Sequence, residues 1–179
     1  MAKIILGITG SIAAYKGADI TNELMKKGHM VKVAMTPAAQ KFITPLTLES
    51  LSGNKVYTDM FREEAEGITH VTWADSDLFV IAPATANIMA KLVTGFADCP
   101  VSALGLTTYK LPRLIAPAMN TRMYQHPATQ KNLEILSGQG YELIEPRTAR
   151  LACGETGQGA LATVTDIIIA IERRLLLMS

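Results

Sequence analysis

Cys153 is the residue whose surroundings point most directly to chemistry. It sits in Leu151-Ala152-Cys153-Gly154-Glu155-Thr156-Gly157-Gln158-Gly159, where three glycines accompany one thiol. A cysteine is most often a small core residue. Cores do not usually surround a thiol with glycine, so the stretch reads as a mobile flap carrying a reactive thiol. Cys99, in an apolar helical stretch, keeps the core reading. The next constellation is Pro117-Ala118-Met119-Asn120-Thr121-Arg122-Met123-Tyr124. An Asn after a strand is ordinarily a turn former. Its amide can also hold a carboxylate without neutralising it, as a decarboxylation requires. Histidine as a residue type suits a base at neutral pH, which makes His70 a candidate, although a lone His is more often a surface or capping residue. His29 and His126 read as structural.

Three further segments could cradle a ligand. Gly7-Ile8-Thr9-Gly10-Ser11-Ile12 runs from a strand through a glycine turn to a helix start, where backbone N–H groups favour an anion; a plain tight turn would look similar. The middle glycine of a dinucleotide fingerprint is missing, and there is no Gly-Lys-Ser/Thr of a P-loop. The second strand ends on Thr36, not on the acid that a nicotinamide-dinucleotide site needs for the ribose. Two hydroxyl-bearing helix starts suit a phosphate monoester such as FMN, and Thr36 is also a natural N-cap. Pro83-Ala84-Thr85-Ala86-Asn87 combines small residues with hydrogen-bonding ones. Alone it is indistinguishable from a turn and cap.

These segments must be positioned by alternating strands and helices. The pattern predicts strands over 3–9, 30–35, 78–82, 114–116 and 142–144. Helices are predicted over 11–27, 36–42, 46–52, 86–93, 99–106 and 127–136, with a closing helix capped by Thr165. The first helix is expected to bury Ile12, Tyr15, Ile20 and Leu24. Such alternation gives an α/β fold: a single-domain, Rossmann-like doubly wound parallel sheet over residues 1–179. Ligands in such folds bind outside the carboxyl ends of the strands, which is where these loops lie.

Composition narrows the classes. The 179 residues are 49% hydrophobic and 18% charged, with a formal net charge of +1. That excludes an extended basic footprint for nucleic acid and excludes disorder. No apolar run approaches the roughly 20 residues of a membrane span, so no membrane partner is expected. Two cysteines outside any C-x-x-C pair and three scattered histidines predict no metal site and a reduced, cytoplasmic setting.

Together the motifs resemble the homo-oligomeric flavin-containing cysteine decarboxylases, and within them the phosphopantothenoylcysteine decarboxylase branch of coenzyme A biosynthesis. The likeness covers residues 7–162. It rests on Gly10-Ser11-Ile12, His70, Pro83 to Asn87, Pro117 to Met123, and Ala152-Cys153-Gly154 with Gly157 and Gly159. Tyr124 stands where many members carry Trp, and the spacing from His70 to Pro83 is slightly shorter than in the family. The resemblance implies that Gly10, Ser11, Ile12, Thr36, Thr85, Ala86, Asn87 and Ala118 contact FMN. It implies that His70 is the base and that Asn120 holds the substrate carboxylate. Met123, Ala152 and Gly154 would adjoin the small-molecule substrate, and Cys153 would give the last proton. It further implies trimers, alone or assembled further, with flavin at subunit contacts. A stand-alone decarboxylase working with a separate phosphopantothenate–cysteine ligase is expected.

The chemistry is coherent. Loss of CO2 from a cysteine carboxylate leaves an unstabilised carbanion. Oxidising the CH2–SH group to a thioaldehyde provides the missing electron sink, and returning the hydride and a proton restores the thiol. The net reaction is redox-neutral and needs no nicotinamide. Three rival readings remain: an oxidative decarboxylase of peptidyl C-terminal cysteine that stops at the ene-thiol, a flavin prenyltransferase, and a non-catalytic FMN-binding regulatory subunit. Cys153 and Asn120 would have no purpose in the second. The third usually carries long tails.

Overall fold

The computed structural model describes residues 1–61, 68–150, 154 and 156–177. The apolar runs become the strands of one parallel sheet: β1 (Lys3–Ile8), β2 (Met30–Met35), β3 (Leu78–Ala84), β4 (Arg113–Pro117) and β5 (Tyr141–Leu143). Their spatial order is β2-β1-β3-β4-β5. The chain winds outward from β1 to β2, then returns to the other side of β1 with β3. The expected doubly wound sheet is therefore present, and its order reverses between β1 and β3.

Because side chains alternate along a strand, β1 feeds two cores. Ile4, Leu6 and Ile8 pack under α1 (Lys16–Lys26), α2 (Pro45–Ser52) and α8 (Val164–Leu176). Ile5 packs with Phe79 and Ile81 under α4 (Ala86–Thr94), α5 (Pro100–Thr107) and α7 (Pro127–Gly138). Both faces are covered, which explains why β3 is buried at every position and reads as an unbroken apolar run. Each fully buried Ile, Leu or Phe contributes about 1.5–3 kcal/mol relative to exposure.

Several local expectations change. The segment after β1 is a short 3-10 turn (Ile12–Tyr15) followed by α1, not one helix. Its buried face is Ala14, Gly17, Ile20, Thr21 and Leu24, while Ile12 and Tyr15 are 59% and 52% exposed. The close approach of α1 to β1 sets that face: a Cβ on Gly17 would lie 2.4 Å from Ile8 Cδ1. The closing helix is capped by Thr163, not Thr165; Thr163 Oγ1 accepts from the Asp166 N–H at 3.1 Å. Cys99 is buried as expected, but at the N-cap of α5, beside Ser102 Oγ at 3.2 Å.

The largest addition is an antiparallel hairpin of β6 (Arg147–Arg150) and β7 (Thr156–Ala160). Of the flap expected around Cys153, residues 151–153 and 155 lie outside the described residues. Two short helices were also not anticipated, α3 (Thr69–Thr72) and α6 (Thr121–Gln125). His126 does have a structural role, its Nδ1 accepting from the Ala128 N–H at the start of α7. His29 joins the N-terminal strand to α8, with Nε2 2.9 Å from Glu172 Oε1.

Candidate active site

The order reversal places the ends of β1 and β3 side by side, and Thr9 ties them together. Its hydroxyl, 1% exposed, donates to the Pro83 carbonyl at 2.8 Å and accepts from the Thr85 N–H at 3.0 Å. Thr85 in turn caps α4 through the Ile88 N–H at 3.3 Å. Ser11 caps the 3-10 turn through the Ala13 N–H. The loop after β2 presses on the first loop from behind: a Cβ on Gly10 would lie 2.4 Å from the Ala38 Cβ. Glycine is therefore required at 10 for loop packing.

The loop after β4 forms the next wall. The Ala118 N–H donates to the Ala84 carbonyl, extending the contact between β3 and β4 past the sheet. Asn120 caps α6, with Oδ1 accepting from the Arg122 N–H at 2.8 Å. That bond turns the amide oxygen toward backbone. Beneath it, Tyr124 is buried, and burial, assisted by the nearby Glu145 carboxylate, raises its pKa.

The hairpin closes against this wall. The Met119 N–H donates to the Gly159 carbonyl at 2.9 Å. Gly159 is the extra residue between the pairs Arg147–Ala160 and Thr148–Gln158, a bulge with φ of +134°. A Cβ there would lie 2.5 Å from the Met119 carbonyl oxygen, and one on Gly157 would lie 2.2 Å from Thr121 Oγ1. These two glycines thus answer to close docking on the Asn120 loop rather than to mobility. Gly154, exposed with φ of +87°, belongs to the hairpin's connecting segment.

Between these walls opens a cavity of about 770 Å³, within the range of small-molecule and cofactor sites. Of the expected residues, Gly10, Ser11, Ile12, Thr85, Ala118, Asn120 and Met123 line it. Leu161 to Val164, leading into α8, face them. Thr36 is buried behind Gly10, where its Oγ1 accepts from the Ala39 N–H at 3.2 Å; the structure shows it as a cap. Ala86 and Asn87 form the first turn of α4 after Thr85, outside the lining. Ala152 and Cys153 lie outside the described residues. His70 is not brought to this cavity. It sits on α3, which packs against α5, and its Nδ1 is 3.4 Å from the Tyr57 hydroxyl. No cluster of metal-ligating side chains occurs among the described residues.

Sequence reasoning missed Thr9, Arg147 and Arg150, the last two being cavity residues on β6. Thr9 could have been suspected as a polar residue closing an apolar strand. The two arginines carry no local motif. The cavity's described lining holds no carboxylate and mixes apolar side chains with the Ser11 and Thr85 hydroxyls. Such a surface fits a flat, largely apolar ring system bearing a hydroxylated, anionic tail, as in FMN.

Comparison with known proteins agrees. A probable phosphopantothenoylcysteine decarboxylase of Streptococcus mutans is 48% identical over 176 residues, covering 97% of this chain and 98% of that protein. The coenzyme A biosynthesis bifunctional protein of Bacillus subtilis is 42% identical over 172 residues, and the chain spans 42% of its length. Among solved structures, a PPC decarboxylase variant complexed with pantothenoylaminoethenethiol superposes with a TM-score of 0.86 at 29% identity, covering 99% of both chains. The FMN-dependent cysteine decarboxylase SpaF gives 0.85 at 29% identity, covering 99% of this chain and 97% of its own. The Flavoprotein family model matches residues 1–176, and with its doubly wound sheet and its cavity at the order reversal this chain belongs to that family.

Proposed function

We propose that the protein is an FMN-dependent decarboxylase that converts phosphopantothenoylcysteine to phosphopantetheine and CO2. The observation that carries this reading is the placement of Asn120 on one cavity, free of carboxylates among the described residues, with the loops after β1 and β3. The relative matched over nearly its whole length supports the same substrate.

In this reading Gly10, Ser11, Ile12, Thr85 and Ala118 hold the flavin directly. Thr36 braces the first loop, and Ala86 and Asn87 present the start of α4. Bound FMN supplies a reversible two-electron sink for the substrate's CH2–SH group. Asn120 orients the substrate carboxylate through N–H donors without a counter-charge, so that departure of CO2 is not opposed by a salt bridge. Met123 forms the apolar wall beside it. Ala152 and Gly154 adjoin the substrate. Cys153 protonates the ene-thiolate carbon at the end of the cycle. His70 serves as the base.

His70 must reach the cavity from elsewhere, and the surface suggests how. Around it α3 exposes Ile68 (63%) and Val71 (55%), and the cavity rim exposes Ile12, Tyr15 and Met123. Two different apolar patches that meet between copies make a head-to-tail contact, which forms a ring where the rotation closes. A trimer in which one copy's α3 covers its neighbour's cavity completes the site. No helix among the described residues is long and apolar enough to cross a membrane, in keeping with a cytoplasmic enzyme. The longer bifunctional relatives support a functional partnership with the phosphopantothenate–cysteine ligase.

Purified protein tests the reading by its visible spectrum and by CO2 release from phosphopantothenoylcysteine. A yellow protein that releases CO2 and forms the thiol product supports it. A protein that rejects FMN, or one that stops at the ene-thiol, overturns it; the second outcome would favour the oxidative peptidyl-cysteine reading.

A further inference from the structure

The described lining of the cavity contains three cations, Lys16, Arg147 and Arg150, and no acid. Lys16 is already engaged, 3.5 Å from Asp19 Oδ2 and 5.0 Å above the Tyr15 ring. The two arginines differ. Neither has a carboxylate within ion-pair distance among the described residues. Arg147 Nε donates to the Leu161 carbonyl at 3.0 Å, which anchors the guanidinium at the rim and leaves its outer N–H groups for another acceptor.

Both arginines stand on β6, and β6 is not free to wander. Its partner β7 is held to the Asn120 loop by the Met119–Gly159 hydrogen bond and by the close approaches at Gly157 and Gly159. Two guanidiniums without counter-ions among the described residues are therefore fixed relative to Asn120 on a cavity whose described lining carries no acid. Planar forked donors of this kind match carboxylate and phosphate oxygens, and two of them together suit the double charge of a phosphate monoester. The Ser11 and Thr85 hydroxyls line the same cavity, and on the decarboxylase reading they serve the flavin. A second phosphate needs a second site.

We infer that Arg147 and Arg150 bind the phosphate monoester of the substrate and set the preference for phosphorylated over unphosphorylated pantothenoylcysteine. This rests on the decarboxylase reading above. It adds that the hairpin recognises the end of the substrate remote from the reacting carboxylate, so that remote binding energy holds the cysteine end in place.

The test uses the flavin-loaded protein with phosphopantothenoylcysteine and pantothenoylcysteine as alternative substrates. Because Arg147 also ties β6 to Leu161, Arg150→Gln is the cleaner variant. It should raise KM for the phosphorylated substrate about tenfold, the value of one charge-assisted hydrogen bond at a wet site. Arg147→Gln/Arg150→Gln should raise it about fiftyfold. The kcat/KM ratio between the two substrates should fall by the same factors. An equal loss with both substrates would overturn the proposal, as would an unchanged ratio. A weakened FMN dissociation constant with an unaltered ratio would reassign the arginines to the flavin phosphate. Calorimetry with phosphopantothenate and pantothenate, which cannot react, separates this from failure of the enzymatic reading. Discrimination between those two ligands that vanishes in the double variant upholds the phosphate site even without turnover, and equal affinity for both refutes it.

Discussion

Asn120 and His70 are the two described polar side chains expected to act on the substrate, and the fold treats them in opposite ways. Asn120 is built in from every side: β4 delivers it, the Arg122 N–H orients it, and the hairpin leans on the residue before it. His70 sits on a four-residue helix with exposed apolar neighbours and a single long contact to Tyr57. One group is positioned by its own chain. The other stands on a surface suited to a neighbouring copy. On the proposed reading, the difference means that this chain lines a binding cavity with Asn120 and relies on a neighbouring copy for His70.

The comparison can be broken by substitution. The largest effect is expected for Asn120→Asp, which places a negative charge where the substrate carboxylate must sit. CO2 release should fall roughly a thousandfold, in the range seen when a polar group at the reacting centre is lost, while the flavin spectrum persists. Unchanged CO2 release would remove Asn120 from the mechanism. His70→Gln should lower CO2 release about a hundredfold, the usual share of a general base, again with flavin retained; a loss of flavin instead would make His70 part of the cofactor cradle.

Smaller effects test the framework. Gly159→Ala forces a Cβ against the Met119 carbonyl at positive φ, costing about 2–3 kcal/mol. Its unfolding midpoint should drop and its substrate KM should rise together, because the same contact docks the hairpin. Thr9→Val removes a buried hydroxyl that both donates and accepts between the loops after β1 and β3. A stability loss of about 1–2 kcal/mol is expected by denaturant unfolding, with weakened FMN binding. A Thr9→Val protein of normal stability would show that the stitch is dispensable.

Much of this was legible in the sequence, for identifiable reasons. Strands buried on both faces announce themselves as apolar runs, so β1, β3 and the sheet order class were accessible from Lys3 to Ile8 and from Leu78 onward. The post-strand loops were accessible because glycine, proline and hydroxyl residues interrupt those runs. The hairpin was not, since Arg147 to Arg150 is mostly polar and mostly exposed and has no period-2 apolar face. Its glycines were visible, but their cause is contact with Met119 and Thr121, residues nearly forty positions earlier. Ile12 and Tyr15 misled for a related reason. Their helical spacing fits a core face, whereas the turn is 3-10 and those side chains rim the cavity. Nothing local to His70 tells which copy it serves.

Complementation reads that last point directly. His70→Gln and Asn120→Asp, each nearly inactive, are co-expressed with different tags, and the mixed oligomer is isolated by both. If each site takes Asn120 from one copy and His70 from its neighbour, every mixed trimer restores both residues at one of its three sites, and CO2 release should return to about one third of the wild-type rate. Mixed oligomers no more active than either parent would contradict the shared site and place His70 and Asn120 in the service of the same copy.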